Sequence, residues 1–165
     1  MNSFDPNAYF KEVAISNKEI KHTDKTPAFF REYSLINILF NNSDFLDKMR
    51  YAGRYVLVSQ WNRDGGYAGP NIDNKRRIYT GAIYLISRII DKTIDQAYSE
   101  TSRTIDDIIS KIEYDQDQGQ FPLTMRTNEI TITSLGQIAD GYYGLAAFMS
   151  YFESACNVYD QKKWE

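Results

Sequence analysis

The segment from Thr93 to Gly119 is predicted to form one long amphipathic helix, and this constrains the fold more than any other stretch. It begins with a capping box, in which the Thr93 and Gln96 side chains each accept a hydrogen bond from the other's backbone N–H. A stripe then follows at helical spacing: Ile94, Ala97, Tyr98, Thr101, Ile105, Ile108, Ile109 and Ile112. Polar side chains such as Ser99, Arg103, Asp106 and Lys111 are expected to face water. A helix with one apolar face needs a surface to cover, and Gly119 is expected to end it.

Four segments are predicted to be strands of the sheet that this helix covers. RYVLVSQW (54–61) and RRIYTGAIYLIS (76–87) are rich in β-branched and aromatic residues, and EITITSL (129–135) alternates between apolar and polar residues. The run YYGLAAFMSYFES (142–154) is also long enough for a buried helix. Its Tyr and Phe residues, and Gly144 shortly after the turn-prone Asp140-Gly141, favour a strand.

Two helices are predicted to precede the sheet. Asp5-Pro6 is a helix-start signal for a helix that continues to about Glu19, and Thr26-Pro27 repeats the signal. Behind the second signal, apolar residues recur near helical spacing at Phe29, Tyr33, Ile36 and Phe40. The order of elements predicts one α+β domain spanning 1–165. It has a largely antiparallel sheet of about four strands packed against one long helix (about 53–164), with two N-terminal helices (about 5–50).

Composition narrows the function classes. A net charge of −3 argues against a nucleic-acid binder that works by neutralising phosphates. The single cysteine, Cys156, permits no internal disulfide and indicates a reducing compartment, and neither a secretory signal nor a bilayer-spanning run is recognised. A soluble protein of the cytoplasm is therefore expected. The thirteen tyrosines and nine phenylalanines fit either a protein–protein interface or an aromatic-rich core.

The glycine-rich stretch NRDGGYAGPNIDNKRR (62–77) is predicted to be a projecting loop between two strands. It lacks the G-x-x-x-x-G-K-[ST] spacing of a phosphate-binding loop, and a strand rather than a helix follows it. Its aromatic and charged residues are typical of protein contacts. The candidate interface residues are Trp61, Arg63, Asp64, Tyr67, Arg76 and Arg77. A passive surface loop is the alternative.

Other patterns do not support a reactive site. EYDQDQGQ (113–120) fails as a calcium loop, because its Gly falls one position early and Arg126 stands at the twelfth position, so a solvated helix end is expected. Cys156 and His22 are too few for a zinc site and are not expected to meet. Consequently we predict no enzyme and assign no catalytic, cofactor-binding or metal residue. A pair of carboxylates such as Asp106-Asp107 stays an open alternative, since distances in space are not visible in a sequence.

The order of these segments resembles the small tail-terminator and head–tail connector proteins of tailed bacteriophages and prophages. RYVLVSQW and RRIYTGAIYLIS look like that family's paired strands with a long loop between them. TIDQAYSETSRTIDDIISKIEYDQ looks like its packing helix, and GYYGLAAFMSYF followed by YDQKKW looks like its closing strand and tail. The resemblance covers roughly residues 50 to 164, and the two N-terminal helices would be additions to the simplest members.

The resemblance implies a virion structural protein without an active site, assembled in the bacterial host cytoplasm. Members form oligomeric rings, commonly hexameric, at the neck or the tail end, where they contact neighbouring neck or tail proteins. They bind no membrane and no specific nucleic-acid sequence, although DNA passes through the ring. The alternatives are a cytoplasmic adaptor or immunity-type protein, an enzyme with an unrecognised site, and a nucleic-acid binder that uses Arg76, Arg77 and nearby tyrosines.

Overall fold

A computed structural model describes residues 4–31, 47, 49–62, 67–68, 76–120, 124–125, 129–139 and 141–154. The helices are α1 (Pro6–Ser16) and α2 (Ile94–Asp117). The strands are β1 (Phe29–Arg31), β2 (Tyr55–Asn62), β3 (Tyr67–Ala68), β4 (Arg76–Arg88), β5 (Thr124–Met125), β6 (Thr131–Ala139) and β7 (Tyr142–Ser154). The protein is therefore α+β, as the sequence predicts.

The strands form one mixed sheet in the order β1, β2, β4, β7 and β5. β3 pairs with β4 beyond the end of β2, and β6 pairs with β7 on the side where β5 also pairs. Every pairing is antiparallel except that of β1 with β2, which is parallel. β4 and β7 pair along their whole length, from Arg76 opposite Ser154 to Arg88 opposite Tyr142. The prediction of a largely antiparallel sheet is confirmed.

Both helices lie on the same face of this sheet, which we call the helix face. On α1, the Phe10 ring stacks on Trp61 with centroids 5.9 Å apart, and on α2 the Tyr98 ring meets Tyr143 edge-on at 6.2 Å. The strand register places Trp61 of β2 and Tyr143 of β7 on one face, because alternate residues of paired strands share a face. The helix face therefore carries α1 over β2 and α2 over β7.

The centre of the sheet is buried on the other face as well. Val58, Tyr84 and Ala146, which point away from the helices, are at most 1% exposed, as are Leu57, Ile83 and Leu85 on the helix face. Strands that are covered on both sides need apolar residues at successive positions rather than at alternate ones. This explains the continuous apolar runs in β4 and β7.

The predicted long helix is confirmed. The four predicted strands correspond to β2, β4, β6 and β7, but the sheet is larger than the predicted four strands, because the short strands β1, β3 and β5 also pair within it. Thr93 is the N-cap of α2, the capping box with Gln96 is formed, and Gly119 beyond the helix end has a φ of 68°. Within the stripe, Ile109 is half-buried and five residues are buried: Ala97, Thr101, Ile105, Ile108 and Ile112. At its N-terminal end Ile94 and Tyr98 are 53% and 49% exposed, so they extend the stripe onto the surface.

The N-terminal region differs from the prediction. α1 ends at Ser16 rather than near Glu19, because the Asn17 side chain accepts hydrogen bonds from the backbone N–H groups of Glu19 and Ile20 and turns the chain. The start of the second predicted helix is wrong, since Phe29 lies in a strand. Pairing with β2 overrides its helical spacing. The remainder of that predicted helix, 32–40, lies outside the described residues.

Candidate interaction surface

Trp61, a candidate interface residue, is buried and not part of a projecting loop. It belongs to β2 and is 8% exposed. Its indole lies between the Phe10 ring and the Tyr151 ring, the latter at 5.3 Å. Large aromatic surfaces contribute strongly to a core. Trp61 therefore holds α1 on the sheet and cannot serve as a contact residue on a mobile arm.

The position of Trp61 depends on the glycine opposite it. Gly81 of β4 is its cross-strand partner, and a Cβ atom at Gly81 would overlap the indole and lie 2.8 Å from the Gln60 carbonyl oxygen. Only glycine leaves that space for the ring. A glycine inside a strand often marks a close approach of this kind.

The predicted loop is shorter than 62–77, because strands take up part of both arms. β3 pairs with β4, with Tyr67 opposite Arg77 and Ala68 opposite Arg76. Three of the candidate residues thus lie in paired strands, at the end of the sheet that we call the β3–β4 ribbon, where β7 flanks β4 on its other side. The other two, Arg63 and Asp64, lie outside the described residues, and an interface role of this region stays a prediction.

Among the strand residues whose burial is described, the longest exposed run lies at the outer edge of β6. All four residues of Thr131–Ser134 have exposed side chains, and β7 is the one described strand with which they pair. β6 contains no Asp, Glu, Lys, Arg or Pro in its nine residues. Protein edge strands usually carry such residues because an unprotected edge pairs with other chains.

Irregular backbone protects the second half of β6 but not the first. The pairing with β7 shifts register between Ser134 and Gly136 and again between Gln137 and Ala139, and Gly136 has a φ of 67°. A bulge bends a strand and interrupts its edge. The regular, exposed edge is therefore the segment Thr131–Ser134.

Apolar side chains flank this edge on both faces of the sheet. Ile132 is exposed on the helix face, and Phe148 of β7 is exposed on the opposite face, each at 40%. On the helix face the surface continues toward α2, because the Ser134 hydroxyl lies 2.7 Å from the Tyr143 hydroxyl and the Tyr143 ring contacts Tyr98. We call Tyr98, Thr131–Ser134 and Phe148 the β6 surface. Sequence reasoning missed it, although the absence of charge from Ile130 to Ala139 was a readable signal.

The end of α2 is solvated at Glu113, Tyr114 and Asp117, as predicted, but Asp115 between them is a buried carboxylate. Asp115 is 3% exposed, and it accepts a 2.8 Å hydrogen bond from the Tyr9 hydroxyl and another from the Lys111 ammonium. Burial, followed by the hydrogen bond to Asp115, raises the pKa of Tyr9 well above its ordinary value. The cluster links α1 to α2. Asp115 continues the spacing of the isoleucine stripe, which was the overlooked signal.

His22 lies half-buried at the entry to β1. Its Nδ1 atom accepts hydrogen bonds from the backbone N–H groups of Ala28 at 3.0 Å and Phe29 at 3.2 Å. Burial, then the charge of Lys11, lowers the pKa of His22, and Asp24 opposes them. His22 is thus a neutral structural acceptor that orients the edge strand β1. Cys156 lies outside the described residues.

No three or more His, Cys, Asp or Glu side chains converge as metal ligands among the described residues. No helix within the described ranges is both long and apolar enough to cross a membrane. No known family model, curated protein or solved structure matches this chain.

Proposed function

We propose that this chain is a non-enzymatic structural protein whose copies associate through the β6 surface. The assembly we propose is a ring at the head–tail neck or tail end of a phage or prophage particle. The observation that carries the proposal is the regular, uncharged and exposed edge at Thr131–Ser134. The phage context comes from the order of strands and packing helix described above.

Edge pairing suits this surface because its backbone supplies the attraction. A strand added to a sheet edge gains main-chain hydrogen bonds, while side chains on both faces provide specificity. Here Ile132 and Phe148 supply apolar surface on opposite faces of the sheet. A second strand laid along Thr131–Ser134 would lie beside Ile132, whereas Phe148 is one strand further in, on β7.

A ring adds one geometric requirement. Its interface is head-to-tail, so the β6 surface of one copy contacts a different surface of the next copy. The rotation from each copy to the next must then add up to one full turn around the ring. The weakly acidic chain, with a net charge of −3, is compatible with a channel through which DNA moves without binding tightly.

A charge placed on the edge tests the assembly proposal. Ile132→Lys puts an ammonium on the exposed edge, a device that natural proteins use against edge pairing. The matched control, Ser99→Lys, places the same charge on the exposed side of α2. We expect closed oligomers of the wild type and of Ser99→Lys in light scattering and native mass spectrometry, and monomers of Ile132→Lys.

Two results would contradict the proposed association through the β6 surface. Equal assembly by both lysine variants would exclude the β6 surface. A wild-type monomer that binds one unrelated protein through this surface would favour the adaptor or immunity-type alternative.

The phage context needs its own measurement. We expect mass spectrometry of purified tailed particles, from cells that carry this gene, to detect the chain at the copy number of a ring. Particles that assemble fully without it would refute the neck and tail-end roles, whatever the purified protein does in solution.

A further inference from the structure

A second surface, at the opposite end of the sheet from the β3–β4 ribbon, forms a cavity of about 410 Å³. It opens where β2 begins and β4 ends. Its lining combines three cations with apolar or small residues: Ala52, Gly53, Arg54, Arg88, Ile90 and Lys92. Small-molecule sites typically have volumes of roughly 300–1,000 Å³ and a mainly apolar wall with a few polar groups.

Existing side-chain contacts hold two of the three cations, Arg54 and Lys92, in place. The backbone N–H of Arg88 donates to the Arg54 carbonyl at 3.1 Å, which joins the two segments. The Arg54 guanidinium lies 5.2 Å above the Tyr55 ring, and Arg54 and Lys92 both donate to the Glu100 carboxylate. Side chains that are already ordered lose less conformational entropy when a ligand binds.

Positive charge exceeds negative charge at this cavity. Glu100 is shared by Arg54 and Lys92, whose hydrogen bonds lower the pKa of Glu100 and keep it ionised. Glu19 lies 3.6 Å from Arg54. Arg88 forms no ion pair with any described residue. Its guanidinium therefore retains donors in the fork geometry that matches carboxylate or phosphate oxygens.

We propose that this cavity binds a small organic anion. Arg88 holds its carboxylate or phosphate group, Lys92 adds a second positive charge, and Ile90 and Ala52 contact its apolar part. Ile90 is 53% exposed, which leaves apolar surface for the ligand to cover. The inference does not depend on the assembly proposal, because the cavity and the β6 surface share no residue.

Titration calorimetry with defined probes tests the site. The probes are benzoate, phenyl phosphate, inorganic phosphate and the uncharged benzyl alcohol. We expect saturable binding of benzoate or phenyl phosphate, tighter than that of inorganic phosphate, and none of benzyl alcohol. A preference between benzoate and phenyl phosphate identifies the anionic group.

Matched variants locate the binding. Arg88→Gln removes the donor fork and is expected to weaken binding by roughly tenfold or more. Arg103→Gln removes an exposed cation from α2 and is expected to leave the affinity unchanged. Ile90→Asp adds a carboxylate at the cavity wall and should also abolish binding, with thermal melts confirming that each variant folds.

Three outcomes would overturn the proposal. The first is the absence of saturable binding of every charged probe. The second is wild-type affinity in Arg88→Gln. The third is binding of inorganic phosphate as tight as that of phenyl phosphate, which would remove the apolar half of the site.

Discussion

The side chains at the centre of the sheet are buried, whereas those at its β6 edge are exposed and yet uncharged, although β6 and β7 are neighbours. Ile83, at the centre, is fully buried and is flanked by Ser59 on one side and Ala147 on the other. Ile132, opposite Ala147 on the edge, is 40% exposed. Packing explains the apolar residues of the centre. It does not explain an uncharged, exposed edge, which is why we propose that a partner covers this edge.

The largest loss of unfolding free energy is expected from a charge placed between α2 and the sheet. Ile108, 1% exposed on α2, faces the sheet. Ile108→Asp should cost about 4 kcal/mol of unfolding free energy or more, because the carboxylate would be buried without a partner. Ser110→Asp places the same charge on the exposed side of α2 and should change stability by less than about 0.5 kcal/mol. Urea denaturation checks both, and a stable Ile108→Asp variant would mean that the helix is not docked as described.

A smaller loss of unfolding free energy is expected for a substitution of Gly81, the glycine opposite Trp61. Gly81→Ala inserts a methyl group where the indole lies, and should cost about 2–3 kcal/mol through overpacking. Gly53→Ala is the control, since its added Cβ has no described atom within 4 Å. Tryptophan fluorescence should shift to longer wavelength for Gly81→Ala as the indole is displaced. Unchanged emission and stability would contradict the tight approach of Trp61.

The hydrogen bond between α1 and α2 should contribute less to the unfolding free energy than the packing of Trp61 against Gly81. Tyr9→Phe removes the hydroxyl that donates to the buried Asp115, at an expected cost of about 1–2 kcal/mol. Tyr114→Phe, on a residue that is 60% exposed, should be nearly neutral. Chemical denaturation separates the two, and equal stabilities would show that the cluster does not hold α1 to α2.

The opposite sheet edge, β1, should respond to pH. Because the folded-state pKa of His22 lies below its ordinary value of about 6.5, the neutral ring contributes stability above that pH. This contribution is lost as the pH falls through the folded-state pKa, when Nδ1 is protonated and can no longer accept from Ala28 and Phe29. His22→Gln should flatten the decline of unfolding free energy with acid. Parallel curves for the two proteins would contradict the role of His22.

Local chemistry made much of the fold predictable. The capping box at Thr93 and the isoleucine spacing identify α2 because both signals lie within one segment. Phe29 was mispredicted because its strand depends on distant partners, the imidazole of His22 and the backbone of β2. Helical spacing alone contains no information about such contacts.

The candidate surfaces were harder to predict. Trp61 reads as a contact residue from its type, yet Gly81 and Phe10 make a core site for it. The cavity joins two short segments, 52–54 and 88–92, that are distant in the chain, and no motif spacing connects them. In the sequence, the β6 edge is visible only as a segment without charged residues. That lack of charge indicates an unprotected edge only when the strand is known to lie at the edge of a sheet.

Amide hydrogen exchange along β6 tests the central claim most directly. If copies of the chain pair through this strand, the backbone amides of Thr131–Ser134 that face away from β7 should exchange much more slowly in the assembled wild type than in the Ile132→Lys variant. Amides in the centre of β4 should be protected equally in both proteins. Rapid exchange of the Thr131–Ser134 edge in an assembled wild type would contradict the account, because association would then use another surface.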